Sequence, residues 1–234
     1  MKKNALITGC AKGIGREIAL DLARSGYNII ATYNTSLNQN DELGKKIESI
    51  GVKFDSYKLD ISDENNINKV CNSIKEKYLK IDVLVNNAAL SLDNSFLEKT
   101  KDEFMKVLEV NLVGPFLLIQ KLSSLLSESK IINIASTDGI NTYSKLSMDY
   151  SASKAGLINL TKSLALEFEN SKVYALCPNW VNTEAIKEMN PEYLEEELKR
   201  IGQKKLIEPK EVSYKVLSMI ENNIESGSVV IMED

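Results

Sequence analysis

The chain contains no histidine. That absence excludes Ser-His-Asp and Cys-His hydrolases, histidine general bases and His-ligated zinc, because each needs an imidazole. Its three cysteines, Cys10, Cys71 and Cys177, are odd in number and far apart, so neither a disulfide framework nor a CxxC metal knuckle is expected. Reduced cytosol suits them, and the chain reads as cytoplasmic. Long apolar runs are missing too. The greasiest stretch, Val110 to Leu118, is broken by Asn111, Gly114 and Pro115 and falls short of the roughly 18 residues of a membrane span. The opening MKKNALITGC holds too few apolar residues to form the core of a signal peptide. Neither sign of charge dominates. The 29 basic and 33 acidic residues leave a net charge of -4, which offers no broad basic surface, so no nucleic-acid or membrane partner is expected.

What is present is ordinary for a globular protein: 43% hydrophobic and 26% charged residues argue against disorder or a fibre. The 234 residues exceed a prior of roughly 150 per domain, but single α/β domains reach about 250 and no linker divides this chain, so 1–234 reads as one domain. Short apolar, β-branched runs occur at Ala5–Ile7, Asn28–Thr32, Val52–Tyr57, Ile81–Val85, Ile131–Ile134, Val173–Leu176 and Val229–Ile231. Between them the periodicity predicts helices near 14–25, 38–50, 63–78, 100–127, 150–169, 191–200 and 209–222. That alternation implies βαβ units, and strands apolar on both faces imply a parallel sheet covered on each side. The fold class is α/β, a doubly wound Rossmann-type domain of about seven parallel strands. Residues 178–190 have weak periodicity, and a segment there, at about 183–205, is the expected substrate lid.

After the first strand comes Thr8-Gly9-Cys10-Ala11-Lys12-Gly13-Ile14-Gly15 and then a helix. Glycines allow a tight turn and close approach to a pyrophosphate, while the helix start offers unpaired N–H groups. The GxxxGxG spacing lacks the GK[ST] ending of a triphosphate loop. Tyr150 and Lys154 stand at i and i+4, so an ammonium can sit beside a phenol. A nearby positive charge lowers a phenol's pKa, which suits a proton donor to a carbonyl oxygen. Asn86-Asn87-Ala88-Ala89, Asn111 and Ser136 fall at or near strand ends, where such a sheet gathers its ligand. Each alone is more often structural than chemical; together with the glycine turn they describe one cleft.

Seven ordered motifs resemble the short-chain dehydrogenase/reductase family, from Lys3 to about Asp234. They are Thr8-Gly9-x3-Gly13-Ile14-Gly15, Leu59-Asp60-Ile61-Ser62, Asp82 to Ala89, Asn111-Leu112-Val113-Gly114, Ile134-Ala135-Ser136, Tyr150 to Lys154, and Pro178-x2-Val181-x-Thr183. Among relatives the chain looks most like the 3-oxoacyl-[acyl-carrier-protein] reductases. Ala89 and Asn179 stand where the family usually has glycine, and neither departure is expected to touch the chemistry. The segment Gly227 to Asp234 lacks the Gly-Gly usual at the end of these reductases.

The resemblance implies an NAD(P)-dependent oxidoreductase in which Tyr150 gives its proton to the substrate carbonyl and Ser136 hydrogen-bonds that oxygen. Lys154 would lower the phenol pKa and bind the nicotinamide ribose, and Asn111 would position a water that refills the proton. Gly9, Gly13, Ile14, Gly15, Asn87 and Ala88 would line the dinucleotide groove, with Asp60 and Ile61 at the adenine and Pro178, Val181 and Thr183 at the nicotinamide. The segment after the second strand, Thr32-Tyr33-Asn34-Thr35-Ser36, has no acid, and Lys12 lies in the glycine turn. A 2′-phosphate repels acids and favours cations and hydroxyls, so Lys12, Asn34 and Ser36 favour NADPH over NADH. The expected substrate is a ketone, small or carried as a 3-oxoacyl thioester on acyl carrier protein. Another alcohol, sugar or ketone, or a dinucleotide-binding regulator without turnover, are the alternatives. A homotetramer or homodimer built on the helices at 100–127 and 150–169 is expected. Tyr143 reads as packing more than substrate contact, Trp180 as a cover for the nicotinamide or an anchor for the lid, and Cys10 as a small residue in a tight turn.

Overall fold

Strand β1 (Asn4–Ile7) sends Ala5 and Ile7 into one apolar layer and Leu6 into the other. Strand β4 (Val83–Asn86) repeats the division with Val83 and Val85 against Leu84, and β5 (Lys130–Ile134) with Ile132 and Ile134 against Ile131. Strands that bury both faces need helices on both sides, which is the condition of a parallel sheet. The computed structural model, which describes residues 2–222 and 224–233, meets that condition. Asp234, where the family resemblance ends, lies outside the described residues.

With β2 (Asn28–Tyr33), β3 (Phe54–Lys58), β6 (Lys172–Pro178) and β7 (Val229–Met232), seven parallel strands run in the order β3-β2-β1-β4-β5-β6-β7. Leu6 pairs with Ile30 on one side and Leu84 on the other, fixing the centre of the sheet. Helices α1 (Gly13–Arg24), α2 (Leu37–Ile50) and α9 (Pro209–Glu221) cover one face through residues such as Ile18, Leu43 and Val216. Helices α3 (Glu64–Lys77), α5 (Gly114–Leu122) and α6 (Met148–Glu167) cover the other through Ile67, Leu118 and Leu164. The doubly wound sheet read from the sequence is therefore the fold.

Two helical expectations need correction. The stretch at 100–127 is not one helix: α4 (Lys101–Leu108) leads into a π-helical turn at Glu109–Val113, then α5, then a 3-10 turn at Ser123–Leu125. Pro115 has no N–H for the Asn111 carbonyl in α-helical register, and Gly114 packs directly on the Ile61 carbonyl, where a side chain would not fit. The segment at 178–190 is also less irregular than expected, since it holds the short α7 (Glu184–Lys187) before α8 (Pro191–Ile201). Three helix starts have a side-chain cap from a residue suited to it: Asp63 accepts from the backbone of α3, Thr100 and Glu103 form a reciprocal box on α4, and Asn190 caps α8. Helix α1 has none, its N-cap being Lys12. Among the described residues no helix is long and apolar enough to cross a membrane.

Candidate active site

The chain leaves β1 toward β2 on one side, while β4 lies on the other, so a crevice opens above their carboxyl ends. Thr8 closes its floor. The Thr8 hydroxyl oxygen accepts the backbone N–H groups of Asn87 and Ala88, each at 3.0 Å, and the Asn87 amide donates to the carbonyls of Thr8 at 2.9 Å and Gly9 at 3.1 Å. The glycine turn is thereby tied to the end of β4. Gly9 has φ +64, and at Gly15 a Cβ would stand 2.5 Å from the Asn87 amide nitrogen and 2.7 Å from the Gly9 carbonyl oxygen. Side chains are excluded where a ligand backbone must come close. The uncapped start of α1 points its free N–H groups and positive dipole end at the same place, which fits a pyrophosphate.

A cleft of about 430 Å³ continues from this turn, and Ser136, Tyr150 and Lys154 line it together. Ser136 stands at the end of β5 in extended backbone, its hydroxyl accepting the Asp138 N–H at 3.1 Å and lying near enough to the Tyr150 phenol to favour its ionised form. Tyr150 and Lys154 share a face of α6, with the ammonium 5.3 Å from the ring centroid. Lys154 is 2% exposed and donates to the Ile134 carbonyl at 2.8 Å. Asn111 lies beneath the cleft, not on it. Its side chain accepts from the Leu90 N–H at 2.8 Å and donates to the Leu90 carbonyl at 2.9 Å and to Ser153 at 3.0 Å. Every hydrogen-bonding group of that amide except one lone pair is spent on protein.

The electrostatics also differ from the sequence reading. The phenol of Tyr150 is pushed up, by burial first and by the Asp138 carboxylate next, while the Ser136 hydroxyl pulls the other way. Burial takes Lys154 down to about 8, which weakens the charge expected to acidify the phenol. Cys177 faces both groups from the end of β6, its own thiol pushed up to about 11 by burial. Asp138 is raised by its burial and held back by the Thr142 hydroxyl, which donates to it at 2.6 Å.

Of the residues expected at the dinucleotide, Ile14, Asn87, Pro178, Val181 and Thr183 line the cleft beside Tyr150 and Lys154. Gly9, Lys12, Gly13, Gly15, Asn34, Ser36, Asp60 and Ala88 do not; they lie along the ends of β1 to β4, where the crevice continues. Lys12 and Asn34 are exposed. Asp60 is held below the usual carboxylate range by hydrogen bonds from Ser62. Ile61 puts its side chain in the apolar core, so only its backbone faces outward. Ala89 and Asn179, the two departures from glycine, both line the cleft. They follow the ends of β4 and β6. Trp180 lines it too, with its backbone N–H and carbonyl paired to the Gln203 side chain at 3.0 and 2.9 Å. Tyr143 is 64% exposed and donates to the Ile140 carbonyl outside the cleft. Cys10 is buried in the turn with its thiol pushed up to about 12.

Sequence reasoning missed Arg16, whose guanidinium donates to the Ala11 carbonyl in the glycine turn and the Gln39 carbonyl on α2, each at 3.2 Å. Its place four residues after Lys12 was the available signal. It also missed Asp93 and Asp138, which line the cleft with Ser91 and Ser147.

A family model described as short chain dehydrogenase matches residues 3–194. The 3-oxoacyl-[acyl-carrier-protein] reductase FabG of Thermotoga maritima is 31% identical over 241 residues, covering 97% of this chain and 95% of its own. The protein of the same name from Aquifex aeolicus is 35% identical over 221 residues, covering 92% and 88%. A dehydrogenase/reductase from Sinorhizobium meliloti superposes with a TM-score of 0.91 at 27% identity, over 98% of this chain and 93% of its own. A short chain dehydrogenase from Burkholderia cenocepacia, solved in complex with NADP, gives 0.90 at 25% identity over 99% and 96%. Family match, length coverage and shared fold agree: the chain belongs to the short chain dehydrogenases, as an NAD(P)-dependent short-chain oxidoreductase.

Proposed function

We propose that the protein reduces a ketone to the hydroxy compound with NADPH, with a 3-oxoacyl thioester as the leading substrate. One observation carries the reading: a phenol and the Ser136 hydroxyl lining one cleft, with a buried ammonium 5.3 Å from the phenol ring and a glycine turn at the cleft's start. When bound, the dinucleotide supplies the hydride for the carbonyl carbon. Ser136 holds the carbonyl oxygen by a hydrogen bond and Tyr150 delivers the proton to it, so that hydride and proton together complete the alcohol. A phenol raised by burial is protonated at neutral pH, the state a donor needs. The phenolate left behind is stabilised by the Ser136 hydroxyl and the Lys154 ammonium. A pKa of about 8 lets Lys154 hand on a proton near neutrality and take another from solvent. With the Asn111 amide committed to Leu90 and Ser153, the Asn111 carbonyl, which Pro115 cannot bond in α-helical register, would be the group that holds the relay water.

NADPH is favoured by Lys12 and Arg16 at the glycine turn and by the lack of an acid after β2, where Asn34 and Ser36 can accept or donate to a 2′-phosphate. The FabG relatives support the thioester. Residues 183–205 would act as the substrate lid, since Ala185, Ile186 and Met189 border the cleft. Met105, Val113, Phe116 and Leu166 expose apolar surface on α4 through α6, which supports a homo-oligomer. A second reading, a hydroxylated ketone or sugar, has its own support: Asp93 and Asp138 are acceptors on the cleft wall that an acyl chain cannot use.

Following NADPH absorbance with acetoacetyl thioester, α-hydroxyketones and simple ketones tests both. Thioester reduction is expected, with NADPH preferred over NADH and the preference lost in Lys12→Ala. Silence on every thioester with turnover of an α-hydroxyketone would transfer the assignment to the second reading.

A further inference from the structure

Lys99 and Asp149 are 50 residues apart in sequence and meet in the interior. The ammonium lies 2.9 Å from a carboxylate oxygen, with the Asp149 side chain 0% and the Lys99 side chain 9% exposed. Each group has a second partner. The second oxygen of Asp149 accepts the backbone N–H of Tyr150 at 2.9 Å, in the first turn of α6, where a negative charge also favours the helix dipole. Lys99 also donates to the carbonyl of Leu92.

Leu92 lies between Ser91 and Asp93, and both neighbours line the catalytic cleft. The loop from β4 to α4 is thus fastened at three points: Leu90 to Asn111, Leu92 to Lys99, and Asn94 to the Leu146 carbonyl at 3.0 Å. Of these only Lys99 continues by a charged contact to the residue that precedes Tyr150. Stability is a weak reason for such a pair, because apolar residues of the same volume generally serve as well in a core. Geometry is the stronger one.

We propose that Lys99 and Asp149 are a positioning pair that locks the substrate-side wall of the cleft to the helix turn bearing the Tyr150 phenol. Neither residue lines the cleft, so they act through Leu92 and Tyr150 and not on the reacting atoms. A displacement of about 1 Å between donor and substrate can cost on the order of 100-fold in rate. The inference rests on Tyr150 being the proton donor.

The test compares wild type, Lys99→Arg, Lys99→Met and the double variant Lys99→Met with Asp149→Asn. The double variant leaves no unpaired buried charge and keeps an acceptor for the Tyr150 N–H, which spares it the lone buried carboxylate of Lys99→Met. Turnover of acetoacetyl thioester, or of the best ketone of the panel, is measured per NADPH-binding site. The expected result is a fall in kcat of about tenfold or more in the double variant with a smaller change in KM, and near-complete retention in Lys99→Arg. A merely structural pair would lower the melting point and leave kcat per binding site within about twofold, which overturns the proposal. A wild type that reduces no ketone indicts the donor reading instead. Amide exchange then still decides: loss of protection at Asn94, on the loop side of the lock, in the double variant supports it, and wild-type protection there overturns it.

Discussion

Replacing Gly15 with alanine places a methyl group where the turn has no room. A Cβ there would lie 2.5 Å from the Asn87 amide nitrogen, 2.7 Å from the Gly9 carbonyl oxygen and 2.9 Å from the Cys10 Cα. Two of these neighbours are backbone. The third is pinned by its bonds to Thr8 and Gly9, so relief requires moving the turn. Overpacking of this kind costs about 1–3 kcal/mol. At about 2–4 °C per kcal/mol for a chain of this size, the melting point should fall by roughly 2–12 °C. The same movement distorts the pyrophosphate cradle, and loss of about 1.4 kcal/mol there weakens NADPH binding tenfold. Nucleotide fluorescence titration and a thermal melt read the two effects. Gly26→Ala is the control: its φ of +87 makes alanine strained, but nothing lies within 4 Å, so the melting point should drop with the NADPH Kd unchanged. An unchanged Kd in Gly15→Ala, or equal losses of affinity in both variants, would refute the cradle.

Two further predictions follow from the buried charges. Because burial takes Lys154 from 10.5 to about 8, the folded chain holds fewer protons than the unfolded one between those values, and wild type gains stability as pH rises through that window. Lys154→Met lacks the group, so wild type should gain in melting point relative to the variant from pH 8 to 10.5; a difference independent of pH contradicts the assignment. Asp138→Asn removes a charge that holds the Tyr150 phenol up, so the alkaline ultraviolet titration of the tyrosines should begin at lower pH than in wild type. A titration superimposable on wild type would count against it.

The sheet was legible because Ala5–Ile7, Val83–Val85 and Ile131–Ile134 are apolar on both faces, a pattern set by burial and visible along the chain. The glycine turn and the Tyr150–Lys154 spacing were legible for the same local reason. Long-range arrangements were not. The break at Asn111 depends on Gly114 meeting Ile61, and the lock at Lys99 on a partner 50 residues away. The direction of the Tyr150 shift was misread because a spacing of four reveals the lysine and not the surrounding burial or Asp138. That Ala89 and Asn179 line the cleft was not legible either, because position along a motif says nothing of which way a strand end turns its side chain.

The central claim is that the Tyr150 hydroxyl supplies the proton. Tyr150→Phe removes one oxygen and keeps the ring, so the NADPH Kd should stay close to wild type while kcat at saturating ketone falls about 100-fold or more. Turnover at the wild-type rate in that variant, with NADPH bound as tightly, would contradict the account.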